Sequence, residues 1–355
     1  MPKRVIQLRR PQSLSAYWRD GQLFFHDFAR RLTVPGRPIV CEVLDFFGQW
    51  RTAQEAIAHF DDYTPRSVRF TVSELRKQGL LLAQGSPEAA QDSRLVKEWR
   101  AWLPAGSFHF STKDVLYTPP NWSLARLKSS LPKTAPPKNF RTVKGVKKIS
   151  LPPLHLPDSE FIRVLLARKT HREFSQQELT LETVSQLLAL VWGVQGYLDS
   201  PVFGKLAHKT SPSGGARHPG EVYLMALRVK GLRPGLYHYH PAHHRLETIS
   251  RNATREKAWR YCAEQDHARA AAALFLMTAV FPRTMWKYSH PRAYRVVLLE
   301  AGHLCQTFCL VATWLGLGPF STAALKDTMI EKDLAIDGLS ESVLYVAGVG
   351  YGNYL

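Results

Sequence analysis

The sequence predicts an α+β protein with a small domain ahead of a larger one. Three apolar runs have the length and composition of buried strands, at Val222–Val229, Leu274–Phe281 and Leu344–Val349. A fourth run, Ala293–Leu315, is long enough for a central helix of a packed core. At 355 residues, 45% of them apolar, the chain can bury two cores.

The first 90 residues contain the elements of a small winged helix. Asp-Gly between apolar stretches is a hairpin signal. Three helical patterns follow the hairpin, and an apolar strand closes the set. The predicted elements are a hairpin at Asp20-Gly21, helices at Pro38–Phe47, Thr52–Phe60 and Thr64–Gln78, and a strand at Gly79–Leu82.

The function of this first domain stays open between three alternatives. Its third helix offers Arg66, Arg69 and Arg76 but also Glu74, and residues 1–90 hold 13 Lys/Arg against 9 Asp/Glu. A helix that reads DNA should be more basic. Peptide recognition is therefore favoured over a structural or dimerising role, and DNA binding is the least favoured.

Residues 91–152 are predicted to form a basic, Pro-rich linker. Residues 91–150 hold 12 Lys/Arg against 3 Asp/Glu, and Ser123–Ser150 has eight basic residues and no acid. Trp99 and Trp102 fit a short helix near the start of this stretch. The rest is predicted to be an extended, solvent-exposed segment or a basic surface that attracts an acidic ligand.

Cysteine and apolar patterns favour a cytoplasmic protein without disulfides. Four cysteines in 355 residues are too few for a disulfide framework. Cys305 and Cys309 are four apart and should share a buried helix face. The N-terminus lacks an apolar signal core, and the run Ala270–Phe281 is too short to span a bilayer.

Four histidines lie close together on one predicted strand and in the turn that follows it. His238 and His240 alternate with tyrosines on one strand, and His243-His244 follow in a turn beyond Pro241. Such a set is compatible with zinc, but strand alternation explains it without a metal. No metal site is therefore predicted.

Three motifs occur in the order found in a known flavoprotein family. Arg168–Arg172 reads RKTHR at the end of a helical run, Thr210–Tyr223 reads TSPSGGARHPGEVY, and Trp286–Tyr288 reads WKY. Together they resemble the FMN-dependent nitroreductase-like proteins, and more narrowly their SagB-type dehydrogenase branch, over Leu154–Leu355. The first 90 residues are similar to PqqD-like peptide-recognition domains. The expected domains are therefore 1–90, the linker 91–152 and an FMN domain at 153–355.

The resemblance implies a dimeric fold with a central mixed sheet and a bound FMN. Arg168 and Arg172 are four apart and would share one side of a helix end, where guanidinium groups suit phosphate. The bare loop would approach the flavin ring from the partner subunit. The expected FMN-binding residues are Arg168, Lys169, Thr170, Arg172, Pro212, Ser213, Gly214, Gly215, Ala216, Arg295, Gly348 and Gly350.

Lys287 and Tyr288 are the expected catalytic pair. Oxidising an azoline removes a proton from one ring carbon and a hydride from its neighbour, so a base is required. A lysine, or a tyrosine eased by that lysine, can serve, and adjacent Lys-Tyr matches the azoline oxidases that the chain resembles. Glu300 and His303 are expected to make helix–helix or dimer hydrogen bonds.

The resemblance favours a homodimeric azoline oxidase acting on a precursor peptide. It would convert thiazoline or oxazoline rings to azoles, with O2 as electron acceptor and a cyclodehydratase as a further partner. Ala216 and His218 stand where ordinary nitroreductases tend to carry Asn and Gln, which argues against plain nitro reduction. The alternatives are an NAD(P)H-dependent reductase of nitro, quinone or dehydroamino-acid substrates, and a non-enzymatic regulator or scaffold.

Overall fold

The computed structural model describes residues 5–117 and 147–352, with residues 129, 139–141 and 144–145 between them. Its N-terminal part joins two three-stranded sheets, in the orders β5-β1-β6 and β2-β3-β4, to a group of helices. The elements are β1 Gln7–Arg9, β2 Leu14–Arg19, β3 Gln22–Asp27, β4 Leu32–Gly36, α1 Ile39–Phe46, β5 Arg51–Thr52, α2 Ala53–His59, α3 Pro65–Lys77 and β6 Leu82–Ala83.

Local signals explain these elements. Asp20 and Gly21 both have positive φ, of 50° and 77°, which the tight β2–β3 turn requires. Thr52 caps α2 in a capping box with Glu55, and Thr64 caps α3. The hairpin and the three helices are as predicted. The winged-helix assignment and the boundary at residue 90 stay predictions.

The first part of the predicted linker is helical, and its helices extend beyond the short helix expected at Trp99 and Trp102. Helices α4, Pro87–Trp99, and α5, Leu103–Ser111, occupy it. Trp99 and Trp102 are each 1% exposed and pack with Phe28 and Tyr294. Burying such large aromatic surfaces offsets the cost of ordering the chain. The basic stretch Ser123–Ser150 lies largely outside the described residues.

The remaining elements form a six-stranded sheet of order β13-β12-β10-β14-β16-β15, together with helices and two two-stranded sheets. They are α6 Glu160–Ala167, β7 Leu179–Thr180, α7 Leu181–Val191, β8 Gly196–Ser200, β9 Gly204–His208, β10 Gly220–Ala226, β11 Val229–Lys230, β12 Gly235–His240, β13 Arg245–Ser250, α8 Arg255–Tyr261, α9 Asp266–Ala270, β14 Ala273–Val280, α10 Phe281–Met285, α11 Ala293–Trp314, β15 Gly318–Thr322, α12 Asp327–Leu334 and β16 Glu341–Gly350.

The pairings within the six-stranded sheet are all antiparallel, whereas a mixed sheet is predicted. Parallel pairing occurs in the separate two-stranded sheet of β7 and β11. Two hydrophobic clusters cover the faces of the large sheet. Strands β10, β14 and β16 are therefore buried on both sides, which explains their continuous apolar runs.

Helix α11 packs against this sheet with one face. Nine of its residues are buried, among them Cys305 and Cys309, so the predicted shared face of the two cysteines is confirmed. Of the residues described, this helix alone is long and apolar enough to cross a membrane by length and composition. Its buried face gives another reason for that composition, because core helices are equally apolar.

Candidate active site

A buried carboxylate fixes the Gly-rich loop between β9 and β10. Ser213 Oγ donates to Glu300 Oε2 at 2.5 Å, and the backbone N–H of Gly220 donates to Glu300 Oε1 at 3.3 Å. Ser213 Oγ in turn accepts from the backbone N–H of His218 at 2.9 Å. Both ends of the loop are therefore held on α11 by one side chain.

Glu300 thus has a different role from the one expected. It is 4% exposed, and this burial raises the pKa of its carboxyl group despite the donors around it. Its partners lie in the loop of its own chain, in place of the expected helix–helix or dimer hydrogen bonds. His303, one turn further on, is exposed.

The loop adopts a backbone conformation that favours glycine. Gly215, Ala216 and His218 have positive φ, of 64°, 52° and 44°, and the two non-glycine residues carry strain there. A Cβ at Gly214 would lie 2.4 Å from Val296 Cγ1. The sequence therefore places glycine where a side chain would collide with α11.

Lys287 and Tyr288 converge on this loop. They follow α10, in the connection to α11. A Cβ at Gly215 would lie 2.4 Å from Tyr288 Oη and 2.8 Å from Lys287 Nζ. The predicted catalytic pair and the predicted ring-lining loop are thus in contact. They open onto a cleft lined by Gly214, Lys287, Tyr288, Ser289, His290, Arg292, Ala293 and Val296.

Aromatic side chains surround the lysine. Lys287 Nζ lies 4.1 Å from the centroid of the Phe203 ring and 5.5 Å from that of Tyr288. An ammonium group is attracted to such rings, and a neutral amine much less. Trp286 is 69% exposed, with the Arg217 guanidinium 4.9 Å from the centroid of its ring. Lys287 Nζ therefore lies between the Phe203 and Tyr288 rings.

The predicted phosphate residues lie elsewhere on the chain. Arg168 is the C-terminal cap of α6. The segment after it runs along β15, where the backbone N–H of His171 donates to the Pro319 oxygen at 2.9 Å. His267 lies near Arg172, and its pKa is lowered by burial and then by that charge. Basic side chains thus gather near the end of the sheet where Gly318 pairs with Gly350.

The two predicted halves of the site lie at opposite ends of the sheet in one chain. The Gly-rich loop joins β10 at Gly220, which pairs with Ala279. At the other end of β14, Ala273 pairs with Val349, next to Gly350. Six residue steps of about 3.3 Å separate these ends by about 20 Å. Within one chain, the predicted phosphate-binding residues at 168–172 (the phosphate cluster) therefore do not reach the Gly-rich loop.

Comparison with known proteins identifies the second part of the chain. A family model described as "Nitroreductase family" matches residues 165–351, which is more than half of the sequence. The chain belongs to the nitroreductase family. This match contains the loop, the Lys-Tyr pair and the cluster after α6. It begins beyond α4 and α5.

Two relatives of this nitroreductase-family chain are named for the processing of peptides. The trifolitoxin-processing protein TfxB of Rhizobium leguminosarum bv. trifolii is 27% identical over 320 residues, which are 85% of this chain and 85% of TfxB. The microcin B17-processing protein McbC of Escherichia coli is 28% identical over 181 residues, 49% of this chain and 63% of McbC.

A solved structure shows the same fold. It is that of the E. coli microcin synthetase McbBCD complex with truncated pro-MccB17 bound. The matched chain covers 74% of this chain and 97% of its own length, at 20% identity and a TM-score of 0.51. The predicted nitroreductase-like α+β fold is confirmed by this likeness and by the family match.

Three of the residues predicted to bind the cofactor contact protein side chains or solvent within the single chain. A Cβ at Gly348 would lie 2.3 Å from the Phe320 ring, and one at Gly350 would lie 2.9 Å from Phe174. Close packing against buried rings therefore accounts for both glycines. Arg295 is exposed near the start of α11. Their contact with a cofactor stays a prediction.

Two of the four histidines on β12 and in the turn after it make hydrogen bonds to other side chains. His238 Nε2 lies 2.8 Å from Glu221 Oε2, and that carboxylate together with Glu247 raises the pKa of His238. His244 lies between Ser185 and Tyr239, with both hydrogen bonds below 2.9 Å. The described part of the chain has no group of residues suited to hold a metal.

Sequence reasoning missed two contacts of the predicted catalytic pair. Phe203, at the turn between β8 and β9, lies over Lys287. The indole of Trp102 donates to the Tyr288 carbonyl oxygen at 2.7 Å, across 186 residues of sequence. No periodicity links residues so far apart. The aromatic content around Trp102 points to burial without naming a partner.

Proposed function

We propose that the chain is an FMN-dependent dehydrogenase that oxidises azolines to azoles in a precursor peptide. The observation that carries this proposal is the convergence of Lys287 Nζ and Tyr288 Oη on the bare backbone of Gly215. Two side chains that can act as a general base, placed beside a loop of small residues, suit removal of a proton from a flat substrate stacked on a flat cofactor. The names of TfxB and McbC support a peptide substrate.

The residues present fit FMN by their chemistry. Gly214 lines the cleft without a side chain to cover its backbone, and backbone N–H groups in such a loop suit a ring edge. Arg168 and Arg172 would hold the phosphate, with the Thr170 hydroxyl as a further donor. FMN, when bound, would accept the hydride that leaves the substrate.

A homodimer would unite the two halves of this site. Phosphate cluster and loop lie at opposite ends of the sheet in one chain, so the loop of one subunit would meet the cluster of its partner. Two helices offer an apolar surface for such pairing. None of the residues of α6 is buried, and Phe161, Leu166 and Leu299 on α6 and α11 are 65%, 69% and 55% exposed. Exposed apolar patches of this kind mark interfaces.

Within the pair, we assign the role of general base to Tyr288. Lys287 Nζ lies over the Phe203 ring and beside the Tyr288 ring. The Tyr288 oxygen, which faces Gly215, would take the proton from the substrate carbon. The lysine then acts by its charge and by orienting the substrate.

Anaerobic mixing with a thiazoline-bearing peptide tests the proposal. The flavin absorbance of the purified protein should bleach, and Tyr288→Phe should slow the bleaching about a hundredfold to ten-thousandfold while FMN stays bound. Because the two residues act as one unit, adding Lys287→Ala should slow it little further. Bleaching of both single variants at the parent rate would assign the base elsewhere.

Two further assays on the same purified protein separate the rival functions. Rapid turnover of a nitroaromatic with NADPH, without bleaching by any azoline peptide, would make the chain a reductase. A purified protein without flavin, whose DNA complex dissociates as salt rises, would make it a regulator.

A further inference from the structure

The Lys287–Tyr288 segment is held by a residue from outside the family domain. The backbone N–H groups of Lys287 and Tyr288 donate to the Thr284 oxygen, at 3.2 and 2.9 Å. The Tyr288 carbonyl oxygen accepts from Trp102 Nε1 at 2.7 Å. The family match starts at residue 165, so Trp102 belongs to the preceding helical block.

Trp102 is rigidly placed. It is 1% exposed and lies edge-on to Trp99 and Tyr294, with ring centroids 6.4 and 6.3 Å away. Two residues before it, Arg100 has φ 36° and ψ −117°, a strained conformation with positive φ that ends α4 and turns the chain towards α5. The strained turn and the packed rings together set the direction of the indole N–H.

The same block contacts the start of α11. His109 Nδ1 lies 2.8 Å from Tyr294 Oη, and both side chains are buried. The Lys-Tyr segment is therefore held at its carbonyl by Trp102 and just beyond it by His109.

We infer that Trp102 is a positioning residue, which holds Tyr288 and Lys287 at the Gly-rich loop through the Tyr288 carbonyl. This inference rests on the catalytic role proposed for the pair. Without the indole N–H, the carbonyl loses its donor and the segment between Trp286 and Arg292 can shift. A displacement of about 1 Å at a reacting group lowers the rate about a hundredfold.

Trp99 provides a matched control. It is also 1% exposed, and its indole N–H also donates to a backbone oxygen, that of Leu339 at 3.1 Å. Trp99→Phe and Trp102→Phe therefore remove the same group from equally buried sites, but only the second touches the catalytic segment. A general loss of packing would affect both variants alike.

The first measurement is hydrogen exchange of the backbone amides of residues 286–293, followed by mass spectrometry. Trp102→Phe should exchange there about tenfold faster than parent, and Trp99→Phe at the parent rate. The second is flavin bleaching by the thiazoline peptide. Trp102→Phe should lower kcat about ten- to a hundredfold with KM and FMN content unchanged.

Equal exchange in the two variants, or equal kcat, would overturn the positioning role. If Trp102→Phe does not fold, benzothienylalanine at position 102 keeps the ring shape and lacks only the N–H, and the same outcomes apply. If no azoline bleaches the parent, the proposed function fails. The exchange comparison then still decides whether Trp102 holds the segment.

Discussion

At the scale of single residues, the predicted phosphate contact of Arg172 can be measured directly. Arg172→Ala should fold normally and lose FMN on gel filtration, since a charge-assisted contact contributes about 1.5–3 kcal/mol, or roughly ten- to a hundredfold in Kd. Arg163→Ala removes an exposed arginine of α6, paired with Asp158, and is the control. Equal FMN content in both variants would count against this placement of the phosphate.

Glu300 should leave a signature in the pH dependence of stability. Burial raises the pKa of its carboxyl in the folded state, so the folded state binds the proton more tightly than the unfolded one. Stability is therefore lost as pH rises from the ordinary carboxyl value through the raised one. Glu300→Gln should remove this loss, so its Tm should rise relative to parent with increasing pH.

Thermal melts between pH 4 and 8 check this expectation. Glu256→Gln, which changes an exposed carboxylate paired with Arg260, is the control and should follow the parent curve. A Tm difference between Glu300→Gln and parent that stays constant across this range would show that Glu300 is not the titrating group.

At the scale of elements, α1 and α3 are the place to test peptide recognition. An apolar groove between them is lined by Ile39, Val43, Tyr63, Val68 and Val72, among others. Ile39→Asp should weaken binding of the precursor peptide by about tenfold, since it places a charge in that groove, and should leave FMN bound. Fluorescence anisotropy with a labelled precursor measures the change.

The control for this variant is Ile249→Asp. Ile249 lies on β13 and is 38% exposed, close to the 40% of Ile39. Equal affinity of both variants for the precursor would remove the groove from the recognition model. Deleting residues 1–90 is a poorer test, because the cut falls inside α4 and strips buried Asp92 of its partners Arg9 and Ser13.

At the scale of the whole molecule, dimer formation and FMN binding should be lost together. Leu299→Asp places a charge on the exposed face of α11, where burial of a leucine in an interface would contribute about 1.5–3 kcal/mol. The variant should elute as a monomer without flavin, because loop and phosphate cluster would come from different subunits. Light scattering with flavin absorbance checks both properties.

Leu116→Asp is the control, since Leu116 is 87% exposed and lies outside α6 and α11. It should remain dimeric and yellow. A monomeric Leu299→Asp variant that keeps its FMN would show that one chain forms the whole cofactor site.

The sequence by itself determined the elements and the motifs. Asp20-Gly21, the caps at Thr52 and Thr64, and the apolar runs of the strands act over a few residues, so they can be read from neighbours in the chain. The order of the three motifs was enough to indicate the family, which the match over residues 165–351 confirms.

Only the tertiary structure decided which of these residues meet. It brings Lys287 and Tyr288 to Gly215, turns Glu300 towards the loop, and joins Trp102 to Tyr288 across 186 residues. It also separates the phosphate cluster from the loop by the length of a strand. Such contacts arise from strand order and from the packing of large side chains between distant elements, and neither leaves a local pattern in the sequence.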